Sequence, residues 1–171
     1  MQLRGSSRLP PVGGPTAADL AGISDNLLFT DVVNQDGTTR FLVRFSGARI
    51  MEYFGASCSI AGQGRFLDEV LPVAYREAAL SSFHTAVTAG EPVYTIADMR
   101  DRAGRIVHFE RLLLPFGRDG IAVDRILASI EAVSPEGVFD DRDLMAARSA
   151  PPAFAFCSII DTRGEITGKS Q

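Results

Sequence analysis

The sequence predicts an α+β domain built on a five-stranded antiparallel sheet with its helices on one face. Three observations lead there. Two β-rich runs, 26–33 and 38–47, precede several short helical stretches and one long one. Three more extended segments follow, at 91–101, 105–117 and 121–133. The links within each group are short and carry glycine, which makes sequence neighbours antiparallel. Two strands at the start and three at the end must therefore close into one sheet, leaving one face of it for the helices between.

Residues 1–15 are rich in Gly, Pro, Ser and Arg and read as a flexible arm. Thr16 can cap a short helix ending near Gly22, with Asp19 three positions on. The strands 26–33 and 38–47 are joined through Asp36-Gly37, a strong hairpin signal. In the second strand Phe41, Val43 and Phe45 alternate with Arg40, Leu42 and Arg44, so the three apolar residues are expected on one face. Residues 48–55 form a short helix that Gly55 ends. Residues 65–72 supply another turn or two. The longest helix spans 72–90, with Pro72 at its start and Gly90 at its end. Its inward face is expected to carry Val73, Leu80, Phe83 and Val87.

The strand 105–117 stands out because Leu112, Leu113 and Leu114 break alternation. A strand wet on one side should alternate, so both sides of this one are expected to be covered. Beyond Val133 the chain turns acidic and then reaches Pro151-Pro152 and FAFCSIID. Residues 134–171 read as an appendage. Its apolar run adds a strand, covers apolar surface or trails as a mobile tail, and the sequence leaves these open.

Composition narrows the function classes. With 171 residues the chain fits one domain with tails. A net charge of −4, with no basic cluster, argues against non-specific nucleic-acid binding. No apolar run approaches the ~20 residues of a membrane span, and the N-terminus lacks the apolar stretch of a secretory signal. A cytoplasmic protein with Cys58 and Cys157 reduced is expected.

Three motifs then point to a family. Arg44-Phe45-Ser46-Gly47 leads into a helix ending Phe54-Gly55; Gly90-Glu91-Pro92-Val93-Tyr94 opens a strand; Glu110-Arg111-Leu112-Leu113-Leu114-Pro115 fills another. In this order they resemble a bacterial family of short, single-domain PAS proteins, over about residues 16–133. The resemblance implies a PAS fold, in which helices and sheet enclose a small cavity. It also implies that an N-terminal helix or a second subunit often covers the other sheet face.

PAS proteins sense or mediate contacts, and some carry a prosthetic group. Flavin photosensors of the family need a cysteine within Asn-Cys-Arg-Phe-Leu-Gln. Here Gly55-Ala56-Ser57-Cys58-Ser59-Ile60 keeps only the glycine and cysteine. Haem sensors hang the iron on a histidine near the place held here by Ala79; His84 lies more than a turn later, and His108 is on a strand. No cofactor and no metal are therefore expected. Nor is there a Gly-x-Ser-x-Gly, a phosphate loop or an HExxH.

The reading is a non-enzymatic sensory or regulatory module. No kinase, cyclase or DNA-binding segment accompanies it in the chain. Its output is thus expected to pass through a signalling partner or through rearrangement of a homodimer. The cavity is expected between the long helix and the sheet, bordered by Phe54, Phe83, Tyr94 and Phe109. Arg111 is the polar contact, suited to a small anionic metabolite. Glu110 and Arg111 are adjacent on one strand and must face opposite ways, and which one points inward stays open. The competing reading is a small cone-shaped α+β acid–base enzyme using an inward pair, Asp98 with Tyr53 or Tyr94.

Overall fold

The computed structural model describes residue 9 and residues 20–55, 63–142, 144–145, 153–161 and 166–169. Cys58 and most of the expected N-terminal arm and helix lie outside them. The strands are β1 (Leu27–Gln35), β2 (Thr38–Ser46), β3 (Val93–Arg100), β4 (Ile106–Phe116), β5 (Arg125–Val133), β6 (Ala153–Ile160) and β7 (Ile166–Lys169). A 3-10 turn (Ser24–Asn26) precedes β1, and the α-helices α1 (Ala48–Phe54), α2 (Leu67–Val70) and α3 (Val73–Ala89) are inserted between β2 and β3.

The strands form a single antiparallel sheet in the order β2-β1-β5-β4-β3-β6-β7. The expected closure of the first strands onto the last is made by β1 on β5, from Leu27 opposite Ser129 to Asp31 opposite Arg125. The sheet has seven strands rather than five. The reason is the edge of β3, whose free N–H and C=O groups are taken up by β6, with Val93 opposite Ile159 and Asp98 opposite Ala153. β7 then pairs with β6. The sheet thus continues past the boundary expected at residue 133.

Local chemistry accounts for the joints. Asp36 and Gly37 both have positive φ, as a two-residue type I′ hairpin requires. Gly90 ends α3 in the left-handed conformation, and its N–H returns to Ala86 O. Gly47 is needed for a close approach instead. A Cβ there would stand 2.3 Å from the carbonyl oxygens of Ser24 and Asp25.

Two face assignments differ from expectation. A bulge in the β1–β2 pairing places Phe45 opposite Phe29 and Val43 opposite Thr30, so Arg44 is the extra residue. Phe41 and Val43 are buried on the helix side, whereas Phe45 is 37% exposed. On α3 the buried residues are Tyr75, Ala79, Ser82, Phe83 and Ala86; Leu80 and Val87 only flank the core, and Val73 is 80% exposed. Tyr75 and Phe83 share this face with Ala79, Ser82 and Ala86, whose small side chains let the helix axis lie close to the strands.

On β4 burial alternates strictly from Ile106 to Leu114: Val107, Phe109, Arg111 and Leu113 face the helices and are buried, and the residues between them are half-buried. Arg111 therefore points inward and Glu110 outward. On the outer face Leu114 packs against Leu27, Phe116 and Leu127, with Leu20 and Phe29 alongside.

The chain after β5 folds back over the helix side. Leu144 and Met145 are buried, and Met145 N–H donates to Tyr53 O at 2.7 Å. Asp101, at the β3–β4 turn, secures this return. Its fully buried carboxylate accepts from Arg105 N at 2.9 Å, Arg105 Nε at 2.8 Å and Asp140 N at 3.4 Å. Burial pushes the Asp101 carboxyl up, but the Arg105 and Asp140 backbone bonds and the Arg105 guanidinium outweigh it and hold the group below the usual range. A depressed folded value contributes stability above the unfolded pKa of about 4, lost as pH falls through the folded value. Asp101→Asn is accordingly expected to lower the urea midpoint at pH 7, with the gap to the native chain shrinking below about pH 4. An equal gap at pH 7 and pH 3 would show that the charge contributes nothing.

Candidate ligand cavity

Period two on the strands and the i, i+4 rise of α3 bring one small cavity together. α3 supplies Tyr75, Ala78 and Ala79, β3 supplies Ala97 and Met99, and β4 supplies Phe109 and Arg111. Met145, from the returning C-terminal segment, closes it. Its volume is about 10 Å³, at the lower limit for a single water molecule. Of the lining residues, Arg111 and Tyr75 are the two with polar side-chain groups.

Arg111 is buried, and its Nε donates to the hydroxyl of the fully buried Thr95 at 3.1 Å. Thr95 lies opposite it on β3, and Cys157 lies opposite Thr95 on β6. Burial pushes the guanidinium down to about 10, with proximity to Cys157 acting weakly the other way. The group remains charged at neutral pH. A cation held in this setting favours a planar anion, since the guanidinium fork matches a carboxylate in geometry and charge.

Of the five residues expected at the site, Phe109 and Arg111 line the cavity. Phe54 is buried at the end of α1. Phe83 is buried nearer β2, with its ring 5.1 Å from that of Phe41. Tyr94 is on the opposite face of the sheet, where its hydroxyl donates to Glu110 Oε2 at 2.6 Å and its ring lies 6.2 Å from Phe156. Burial and the Glu110 carboxylate push the Tyr94 phenol up to about 12. Tyr75, Met99 and Met145 were not expected. Tyr75 and Ala79 are one turn apart, a signal that sequence reading passes over when it follows only the largest apolar residues.

The inward acid–base pair of the competing enzyme reading does not form. Asp98 is on the outer face, where it pairs with His108 Nδ1 at 2.7 Å. Tyr53 is on the inner side, where its hydroxyl accepts from Ala132 N at 3.3 Å. His84 stands edge-on to Phe41 at 5.0 Å. Among the described residues no cluster of His, Cys, Asp and Glu is arranged to hold a metal ion. No helix among them is long and apolar enough to cross a membrane. No protein-family model matches the chain, and no curated protein matches it either.

Proposed function

We propose that the chain is a non-enzymatic sensory or regulatory module of the PAS type. It takes a small carboxylate-bearing metabolite beside Arg111, self-associates through the outer sheet face and passes its state to a signalling partner. The observation that carries this reading is the buried Arg111, which lines the cavity between α3 and the β3–β4 hairpin. The strand order β2-β1-β5-β4-β3, with α1, α2 and α3 inserted between β2 and β3, supports the PAS comparison. Phe29 and Leu114, half-buried beside the buried Leu27, Phe116 and Leu127 cluster, and Phe45, 37% exposed opposite Phe29, are the apolar side chains the outer face offers for a contact.

A native mass spectrum of the purified chain, paired with light scattering, tests the reading. The expected result is a dimer mass, with a small organic acid retained on part of the population. A monomer that carries nothing, and whose melting temperature no carboxylate moves, would overturn it. At about a hundredfold excess over its dissociation constant a ligand adds about 2.7 kcal/mol, roughly 5–10 °C for a chain of this size, so a thermal screen has the sensitivity.

A further inference from the structure

We propose that the outer face of β3, β4 and β6 is a docking site for a basic segment of the signalling partner, and that it takes one lysine or arginine side chain over Ile96. The proposal rests on the sensory reading above for the existence of a partner and adds the partner's chemistry.

The outer face has two chemically different parts. On β1 and β5 lies the cluster of Leu27, Phe116 and Leu127, edged by Arg44 and Arg125, which share Asp31 at 2.6 and 3.1 Å. On β3, β4 and β6 the register builds a ring of side chains around half-buried Ile96. Glu110 stands opposite it on β4 and Phe156 opposite it on β6. Tyr94 and Asp98 lie two positions away on its own strand and so share its face. Neighbours of these kinds are within about 7 Å, so all four can reach one guest. The Tyr94 and Phe156 rings meet at 60° with centroids 6.2 Å apart, which makes a corner beside the Glu110 carboxylate. Aromatic faces attract an organic cation, and its alkyl stem packs on the apolar surface below.

Charge selects the same guest. Asp98 is 44% exposed, and Glu131, opposite Glu110 on β5, is exposed. Hydrogen bonds hold these carboxylates without neutralising them. Glu110 accepts from the Tyr94 hydroxyl at 2.6 Å, Glu131 accepts from the Asn26 amide, and Asp98 pairs with the ring of His108 at 2.7 Å. Arg100, two residues beyond Asp98, turns its guanidinium to Gly104 O at 2.7 Å. Three carboxylates thus face one imidazole, and the cluster is negative whether or not His108 carries a proton. Half-buried Leu112 and Val133, 44% exposed, offer apolar flanks to the residues on either side of the cation.

The test follows amide resonances of the isotope-labelled full chain with two probes, blocked lysine amide and the blocked peptide Leu-Ser-Lys-Ser-Leu. In an extended peptide of this pattern both leucines share a face with the lysine. The peptide should shift the amides of Ile96, Glu110 and Phe156, leave those of Arg44 and Arg125 unmoved, and bind more tightly than lysine amide. The same peptide with glutamate for lysine should not bind. Glu110→Gln and Phe156→Leu should each weaken binding about threefold or more, the scale of an exposed ion pair or a cation–π contact. Glu77→Gln, which removes an equal charge from the exposed side of α3, should not.

A peptide that shifts none of the three amides overturns the proposal. So does equal binding of lysine amide, which would make the face a small-molecule site, and so does an equal loss in Glu77→Gln, which would leave only attraction to net charge. If Glu110→Gln does not fold, Asp98→Asn replaces it with the same expectation. Failure of the sensory reading looks different: a monomeric chain without ligand removes the sensor, whereas the peptide titration judges this face by itself.

Discussion

Gly47→Ala is expected to lower the stability of the fold by about 3 kcal/mol, near the top of the range for overpacking. The backbone at Gly47 is not the obstacle: its φ of −70° and ψ of 161° suit any residue. The obstacle is space. The added methyl would stand 2.3 Å from two carbonyl oxygens, Ser24 O and Asp25 O, where carbon contacts are comfortable at about 3.5–4.0 Å. These are backbone atoms, so no side-chain rotation clears them. Relief requires moving the turn at Ser24–Asn26 away from the start of α1. That strains the Gly47 N–H bond to Leu27 O at 2.9 Å and the Asn26 side-chain bond to Ile130 O at 3.0 Å. Urea unfolding should show the loss as a lower midpoint at an unchanged slope. Gly22→Ala is the matched control, since no atom lies within 4 Å of its would-be Cβ; it should stay within about 0.5 kcal/mol of the native chain. If the two variants are alike, Gly47 does not pack against the Ser24–Asn26 turn.

Gly47 also shows what kind of structural fact is legible in a single chain. Its place in the Arg44-to-Gly47 motif marks a special position, but the partner that makes it special is a turn twenty residues earlier, which no local pattern names. The same division runs through the fold. Asp36-Gly37 specifies its own turn through backbone conformation, and Gly90 its helix end, so both are readable. The sides of β2 are not, because one bulge opposite Phe29 and Thr30 shifts the parity of everything beyond it. The inward face of α3 is hidden for another reason. Close packing there favours Ala79, Ser82 and Ala86 over larger residues, and hydrophobicity alone directs attention to Val73 and Leu80.

The face of Tyr94 follows from the β3–β4 hairpin register. The hairpin that pairs Arg100 with Ile106 puts Ala97 opposite Phe109 and Tyr94 opposite Leu112. Tyr94 and Phe109 therefore cannot share a face. The burial of Met145 has no such local signature. An acidic stretch after the last expected strand carries no periodicity to show that its end turns into the core, and only the tertiary path brings Leu144 and Met145 over the helix side.

Arg111 separates packing from charge, and its two substitutions should diverge. Arg111→Ala removes a long buried side chain and is expected to lose about 3 kcal/mol, within the range seen when buried Met or Leu is truncated. For a chain of this length that is about 6–12 °C in melting temperature. Arg111→Met keeps most of the volume and discards the charge. Burial lowers the guanidinium from 12.5 to about 10, a cost to the folded state of about 3 kcal/mol for carrying the proton. Because the folded value is depressed, that cost is present in full below about pH 10 and fades only as pH rises toward the unfolded value. Relief from it offsets the loss of the Nε bond to Thr95, whose hydroxyl is buried. Arg111→Met is thus expected to melt within a few degrees of the native chain, as buried ions replaced by apolar groups of similar size often do. That result would leave a ligand, rather than the fold, to account for the cation. A carboxylate that raises the melting temperature of the native chain should then lose its effect on Arg111→Met while the unliganded melt stays nearly where it was. Equal collapse of Arg111→Ala and Arg111→Met would instead make the guanidinium a structural cation and end the carboxylate reading of the cavity.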